Sequence, residues 1–293
     1  MAAHAGYHGV IKKMPSTLIT GANRGLGLEF ARQYSADGWQ VYAACRDPNS
    51  ASELGSLADG SGGRLQVRSM DVSDLASVRA VASELKGKPI DLLLNNARVG
   101  GPRGQTIGNI DYEVWARVLD VNTLGPIRVA EAFVDNVAQS ERKLIVTITS
   151  GMGSIGDNTS GGAFAYRSSK AAVNMVMRSL AIDLVPRGIT CVVINPGWVR
   201  TDMGGPHATL TTAQSVKRLR RLIDTLGPAQ SGRFSSITTV ANTPGRSRLI
   251  VGAIKSDTLI KHQSFGGETL TSDNVFGTVT RTLDFTRASR GCL

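Results

Sequence analysis

The sequence predicts an α/β fold: a doubly wound parallel sheet forming a single domain, followed by an irregular C-terminal extension. Three observations carry this. Short apolar runs alternate with helix-patterned segments from Pro15 to about Ile194, the order that a parallel sheet with crossover helices requires. The runs are mostly continuous in hydrophobicity, as strands buried on both faces are. The first run feeds directly into a glycine-rich turn, TGANRGLG at Thr20 to Gly27, and then into a helical pattern.

In chain order, the expected strands are STLIT (16–20), QVYAAC (40–45), LQVRSM (65–70), DLLLNN (91–96), KLIVTIT (143–149) and TCVVIN (190–195). Helices are expected over 26–38, 51–59 and 75–87, within Tyr112 to Gln139, and in the segment carrying Tyr166. In that last segment Val173, Val176, Met177, Leu180, Ala181 and Leu184 recur at helical spacing. KRLRR, Lys217 to Arg221, sits in a helical pattern with Leu219, Leu222 and Ile223 opposite. The expected domain spans 15–234. Beyond it the chain is rich in Ser and Thr, poor in acids and without sustained period. Strands near Arg233 to Ile237 and Leu249 to Ile254 are expected there, with the rest of 235–293 loosely ordered, and the polar lead 1–14 disordered.

Composition narrows the function classes. Hydrophobic residues are 41% and charged residues 19% of the 293, ordinary for a globular protein. No apolar run is long enough to span a membrane, and the start lacks the apolar core of a secretory signal. Cys45, Cys191 and Cys292 are odd in number and lack metal-ligand spacing. They point to a reducing, cytoplasmic setting with no disulfide framework and no metal site. Cys45 and Cys191 lie inside apolar runs and are expected in the core. The net charge of +10 is dispersed apart from KRLRR, which reads as a solvated basic face and not as a nucleic-acid patch.

The glycine turn has the context of a phosphate site. Gly21 permits a tight turn, Gly25 and Gly27 permit close approach, and the following helix offers unpaired N–H groups to an anion. A second motif is Tyr166 with Lys170, one helical turn apart. That spacing places both on one helix face, where an ammonium would lower the phenol's pKa. The spacing carries little by itself.

TGANRGLG, NNA at Asn95 to Ala97, DVN ending at Asn122, Ser150, Tyr166-x-x-x-Lys170 and NPGWVRTDM from Asn195 occur in this order. Together they resemble the short-chain dehydrogenase/reductase family, over about Pro15 to Phe234. SGGAFAYRSSKAA and NPGWVRTDMGGPHA are similar to the branch containing the C-factor signalling protein and related carbonyl reductases. The resemblance implies a Rossmann-like sheet, a small carbonyl or alcohol substrate and a homo-oligomer, dimer or tetramer.

It also implies roles. Ser150 donates to the substrate carbonyl oxygen, with Thr149 and Ser154 as rivals. Gly153, at the family's spacing, favours Ser150. Tyr166 exchanges the proton and Lys170 tunes it while holding the nicotinamide ribose. Asn122 positions a relay water, kinks a helix, or does both. Gly21, Asn23, Arg24, Gly25, Leu26 and Gly27 form the pyrophosphate turn, followed by Asn96 and Ala97. Asp71 and Val72 resemble adenine contacts, although Asp71 also suits a helix start that Ser73 or Asp74 would cap. Pro196 and Gly197 turn the chain, and Val199 and Thr201 meet the carboxamide. Trp198, Met203 and 204–212 form a lid, unless Trp198 packs in the core. Arg24 and Arg46 suit a ribose 2′-phosphate, favouring NADP(H) over NAD(H), with Asp47 as counter-evidence.

Two departures stand out. Arg98 occupies a position where the family usually carries glycine; it is tolerable if it points outward and weakens cofactor binding otherwise. The dissimilar tail is a lid, an oligomerisation arm, or the product of an altered gene end. A nucleotide-binding signalling protein with little turnover is the rival to a reductase.

Overall fold

The computed structural model describes residues 14–102 and 104–237. The polar lead, the extension past 237, its expected strand at 249–254, and Cys292 lie outside the described residues. Seven strands form one parallel sheet: β1 (Ser16–Thr20), β2 (Gln40–Cys45), β3 (Leu65–Ser69), β4 (Leu92–Asn95), β5 (Leu144–Ile148), β6 (Thr190–Asn195) and β7 (Phe234–Ser236). Their order across the sheet is β3-β2-β1-β4-β5-β6-β7. All the pairings are parallel. Each strand expected within the described residues is present, within a residue or two at its ends.

The helices are α1 (Gly25–Ala36), α2 (Ser52–Asp59), α3 (Leu75–Glu84), α4 (Tyr112–Leu119), α5 (Gly125–Ala138), α6 (Phe164–Asp183) and α7 (Thr212–Asp224). They divide between the two faces of the sheet because strand side chains alternate. Ile19, Leu92 and Leu94 belong to one core with residues of α1, α2 and α7. Leu18, Leu93 and Ile145 belong to the other, with residues of α3, α5 and α6. This explains the continuous apolar runs: both faces of each central strand are buried. Cys45 and Cys191 are buried free thiols, as expected, and burial pushes the Cys191 thiol up to about 12.

The basic stretch lies on α7, with Lys217, Arg218 and Arg221 exposed. Arg220 differs from a solvated cation: its guanidinium lies 4.4 Å from the Tyr34 ring centroid and pairs with Asp37. It clamps α7 to α1 through cation–π contact and charge.

Candidate active site

The strand order reverses at β1, from which the chain winds outward to β3 on one side and to β4–β7 on the other. The carboxyl ends of the strands around such a switch point form a ligand crevice. The turn after β1, Ala97 after β4, Ser150 after β5 and the 196–201 segment after β6 all leave this edge.

The glycine turn is built for close approach. Gly21 has φ +64, and a Cβ there would stand 2.8 Å from Ala97 Cα. At Gly27 a Cβ would come within 2.1 Å of Gly21 O. Thr20 organises the crossing: its Oγ1 accepts the N–H groups of Asn96 and Ala97, each at 3.0 Å. Asn96 Nδ2 donates to Thr20 O and Gly21 O at 2.9 and 3.0 Å. The α1 start has no side-chain cap and no acid in its first turn. Its leading N–H groups therefore lack the usual protein acceptors. Leu26 puts its side chain in the core, leaving only backbone for the groove. Asn23 is partly exposed beside it.

Arg24 is exposed and paired with Asp202, a partner separated by 178 residues. Thr201 Cγ2 lies 3.5 Å from where a Gly25 Cβ would be, so the segment after β6 faces the turn across the groove. Arg46 is exposed just beyond β2 and, with Arg117, helps hold Asp71 below the usual carboxylate range. Burial opposes that shift as the largest single influence, while hydrogen bonds from Ser73 add to it. Asp47 accepts the Asn49 N–H at 3.0 Å, which ties it to its own turn. Asp74, as allowed, caps α3 by accepting the Ala76 N–H. Val72 is buried, 3.0 Å from where a Gly125 Cβ would stand.

Ser150, Tyr166 and Lys170 come together. Gly153 makes this possible: a Cβ there would lie 2.8–2.9 Å from Lys170 backbone and side-chain atoms, so only glycine lets the loop of Ser150 lie on α6. Ser150 Oγ accepts the Met152 N–H at 3.1 Å and stands as a hydrogen-bond partner of the phenol. Its rival Thr149 is buried and committed to Asn174 at 2.6 Å. Ser154 is tied to Asp157 at 2.9 Å.

Lys170 is fully buried. Its Nζ donates to Ile148 O at 3.0 Å and lies 5.8 Å from the Tyr166 ring centroid. Burial, reinforced by Arg98, brings its pKa down to about 7. Tyr166 departs from the expected direction. Burial raises its phenol above the ordinary value, and the cation that opposes this is Arg98, assisted by Ser150. A lysine near neutrality at ordinary pH is a weak counter-charge. Arg98 does not point outward.

Asn122 sits in a π-helical turn, Asp120–Leu124, between α4 and α5. Its Oδ1 accepts the Val99 N–H and its Nδ2 donates to Val99 O, both at 2.9 Å. Nδ2 also donates to Ser169 Oγ at 3.1 Å. The kink is present, and one Oδ1 lone pair remains. Pro196 is buried and its carbonyl accepts from Ser215 at 2.8 Å. Gly197 has φ +75, and Val199 pairs with Leu210 to close the far wall. Trp198 is 55% exposed and donates to Gly204 O at 2.8 Å. This rules out core packing: the indole belongs to the wall, with Met203 also exposed. Sequence reasoning missed Thr20, Asp202 and Ser169. All three lie inside the motifs, Thr20 as the last residue of β1 before the turn, yet what each touches depends on other elements.

Residues 16–209 match the short chain dehydrogenase family. The chain belongs to the short-chain dehydrogenase family. It is 47% identical over 157 residues to the C-signal protein of Myxococcus xanthus, covering 54% of this chain and 94% of that one. It is 36% identical over 228 residues to 1-hydroxy-2-glutathionyl-2-methyl-3-butene dehydrogenase of Rhodococcus sp. strain AD45, covering 75% and 96%. The NADPH-bound carbonyl reductase from chicken fatty liver superposes with a TM-score of 0.73 at 34% identity, covering 81% and 99%. As a short-chain dehydrogenase, the chain is an oxidoreductase with a Rossmann-like fold.

Proposed function

We propose that this short-chain dehydrogenase is a cytoplasmic NADP(H)-dependent reductase of small ketones or aldehydes. The observation that carries the reading is that two features share one edge of the sheet: an uncapped α1 start behind a left-handed glycine, and Ser150 with Tyr166 and Lys170. The free N–H donors fit a phosphate group. Exposed Arg24 and Arg46 fit a further phosphate on the adenosine ribose. The NADPH-bound reductase relative supports that choice.

When bound, the nicotinamide supplies the hydride. The chain's residues handle position and protons. Lys170 uses one Nζ donor on Ile148 O, leaving one for a ribose hydroxyl as the neutral amine and two as the ammonium. Ser150 orients the carbonyl oxygen through its hydroxyl hydrogen. A phenol whose pKa is raised by burial stays protonated at neutral pH. It is therefore set to donate to the forming alkoxide, which suits the reductive direction. Asn122 keeps one acceptor site for a relay water.

The test is Tyr166→Phe, assayed by NADPH and NADH oxidation over a panel of carbonyl compounds. The variant should fold and bind NADPH, with turnover lower by about 10²–10⁴-fold. Activity within a few-fold of the parent would sink the assignment. The second reading, a nucleotide-binding signalling protein, draws on the C-signal relative. It expects cofactor binding with no turnover on any member of the panel.

A further inference from the structure

Arg98 stands in the groove between two anchored neighbours. The Ala97 N–H is held by Thr20 Oγ1 at 3.0 Å. Val99 is held at both backbone groups by Asn122 at 2.9 Å. Ala97 is also pressed against Gly21, where a Cβ would stand 2.8 Å from its Cα. The backbone at residue 98 thus has little room to withdraw, and its half-buried side chain leaves the sheet edge beside the glycine turn. Arg98 lies within electrostatic reach of Arg24 at one end of the groove and of Tyr166 at the other. It acts on Lys170 as well.

Its partners do not balance its charge. The one hydrogen bond of Arg98 among the described residues goes to Asn96 Oδ1, at a long 3.4 Å. None of the ion pairs among the described residues includes it, and the nearby Asp202 is already engaged with Arg24. A half-buried guanidinium within reach of the Arg24 cation, without a carboxylate of its own, leaves a charge that an anion would complete. The uncapped donors of the α1 start leave the same sheet edge, after β1, as Arg98 does after β4.

A dinucleotide lying from Arg24 to Tyr166 carries its pyrophosphate near the middle of its length. We propose that Arg98 is a pyrophosphate-positioning residue, its guanidinium pairing with the bridging diphosphate opposite the N–H donors of α1. The assignment rests on the dinucleotide reading above. A guanidinium suits this task because its planar fork meets two phosphate oxygens at once.

The test compares the parent with Arg98→Gly, Arg98→Gln and Arg98→Lys, all as full chains with folding checked by circular dichroism. NADPH affinity is titrated at low and high salt. Thermal protection by inorganic pyrophosphate is measured without any dinucleotide. Arg98→Gly and Arg98→Gln should each weaken NADPH by roughly ten- to hundredfold, the loss expected of a charged hydrogen bond. Both should abolish pyrophosphate protection and flatten the salt dependence. Arg98→Lys should fall between them and the parent. Equal or tighter NADPH binding by Arg98→Gly overturns the proposal, identifies the side chain as an obstruction, and leaves the dinucleotide reading standing. A parent that binds neither NADPH nor NADH, yet gains Arg98-dependent protection from pyrophosphate, sinks the dinucleotide reading and leaves the phosphate site standing.

Discussion

At the scale of single residues, Lys170 is the most exposed to test through pH. Its pKa is about 7 in the fold against about 10.4 in an unfolded chain. Between those values the unfolded chain binds the extra proton, so stability should rise with pH through this window, by at most about 1.4 kcal/mol per unit. Below pH 7 both states are protonated and the burial penalty is fully present. Lys170→Met keeps the packing and removes the titration. Urea unfolding at pH 7 to 10 should therefore show a flatter pH dependence for the variant, and identical slopes would contradict the buried neutral lysine. Tyr166 with Lys170 was legible in the sequence as a pair. The direction of the phenol's shift was not, because spacing along a helix says nothing about how deeply a loop buries the ring. Arg98 was legible as a departure from the family pattern. Its inward direction depends on anchors at Thr20 and Asn122, which lie on other elements.

At the scale of elements, the entry into α6 holds a strained residue. Gly161, Gly162 and Ala163 all have left-handed backbone, with φ of 62, 63 and 46. Two of the three are glycines, and Ala163 is the N-cap without a side-chain bond to the helix. A Cβ in that conformation is costly. Ala163→Gly relieves about 1–2 kcal/mol of left-handed strain against a glycine entropy cost of about 0.5–1 kcal/mol, so it should stabilise the protein slightly, read as a small rise in melting temperature. Ala163→Val should do the reverse. A fall on Ala163→Gly would show that the alanine methyl contributes packing that outweighs the strain. The glycine pair signalled a loop before Tyr166, but the sequence did not reveal a third left-handed residue, since alanine rarely adopts that conformation. The π-helical turn at Asn122 was equally hidden. The long segment from Tyr112 to Gln139 has helical pattern on both sides of the interruption.

At the scale of the whole molecule, the sheet was the most legible feature. Central strands such as Leu92–Asn95 are buried on both faces, so composition and order suffice to place them. Cross-groove pairing was illegible: Arg24 meets Asp202 from opposite ends of the domain. Arginines are dispersed over separate local pairs, with Arg32 paired to Glu29, Arg128 to Asp120 and Arg142 to Asp224. Every residue assigned to the groove and its wall precedes residue 213. A chain ending at Thr243 is therefore expected to remain folded and to bind NADPH with the affinity of the full chain. Fluorescence titration of both chains checks this. A folded, soluble truncation without NADPH binding would give the extension a part in the site.

The wall of the groove also gives the protein an optical probe of its own. Of the three tryptophans, Trp39 lies 5.7 Å from the Arg142 guanidinium, and Trp115 donates its indole N–H to Ser168 at 2.9 Å. Only Trp198 belongs to the segment that faces the glycine turn, and its indole is tied to the same loop at Gly204. Energy transfer falls steeply with distance, so a light-absorbing ring in the groove would draw on the excited state of this indole. The colour of its emission reports contact with water. Dimming and spectral shift can thus be followed together, the one reporting occupancy of the groove and the other the closing of its wall, without attaching a dye.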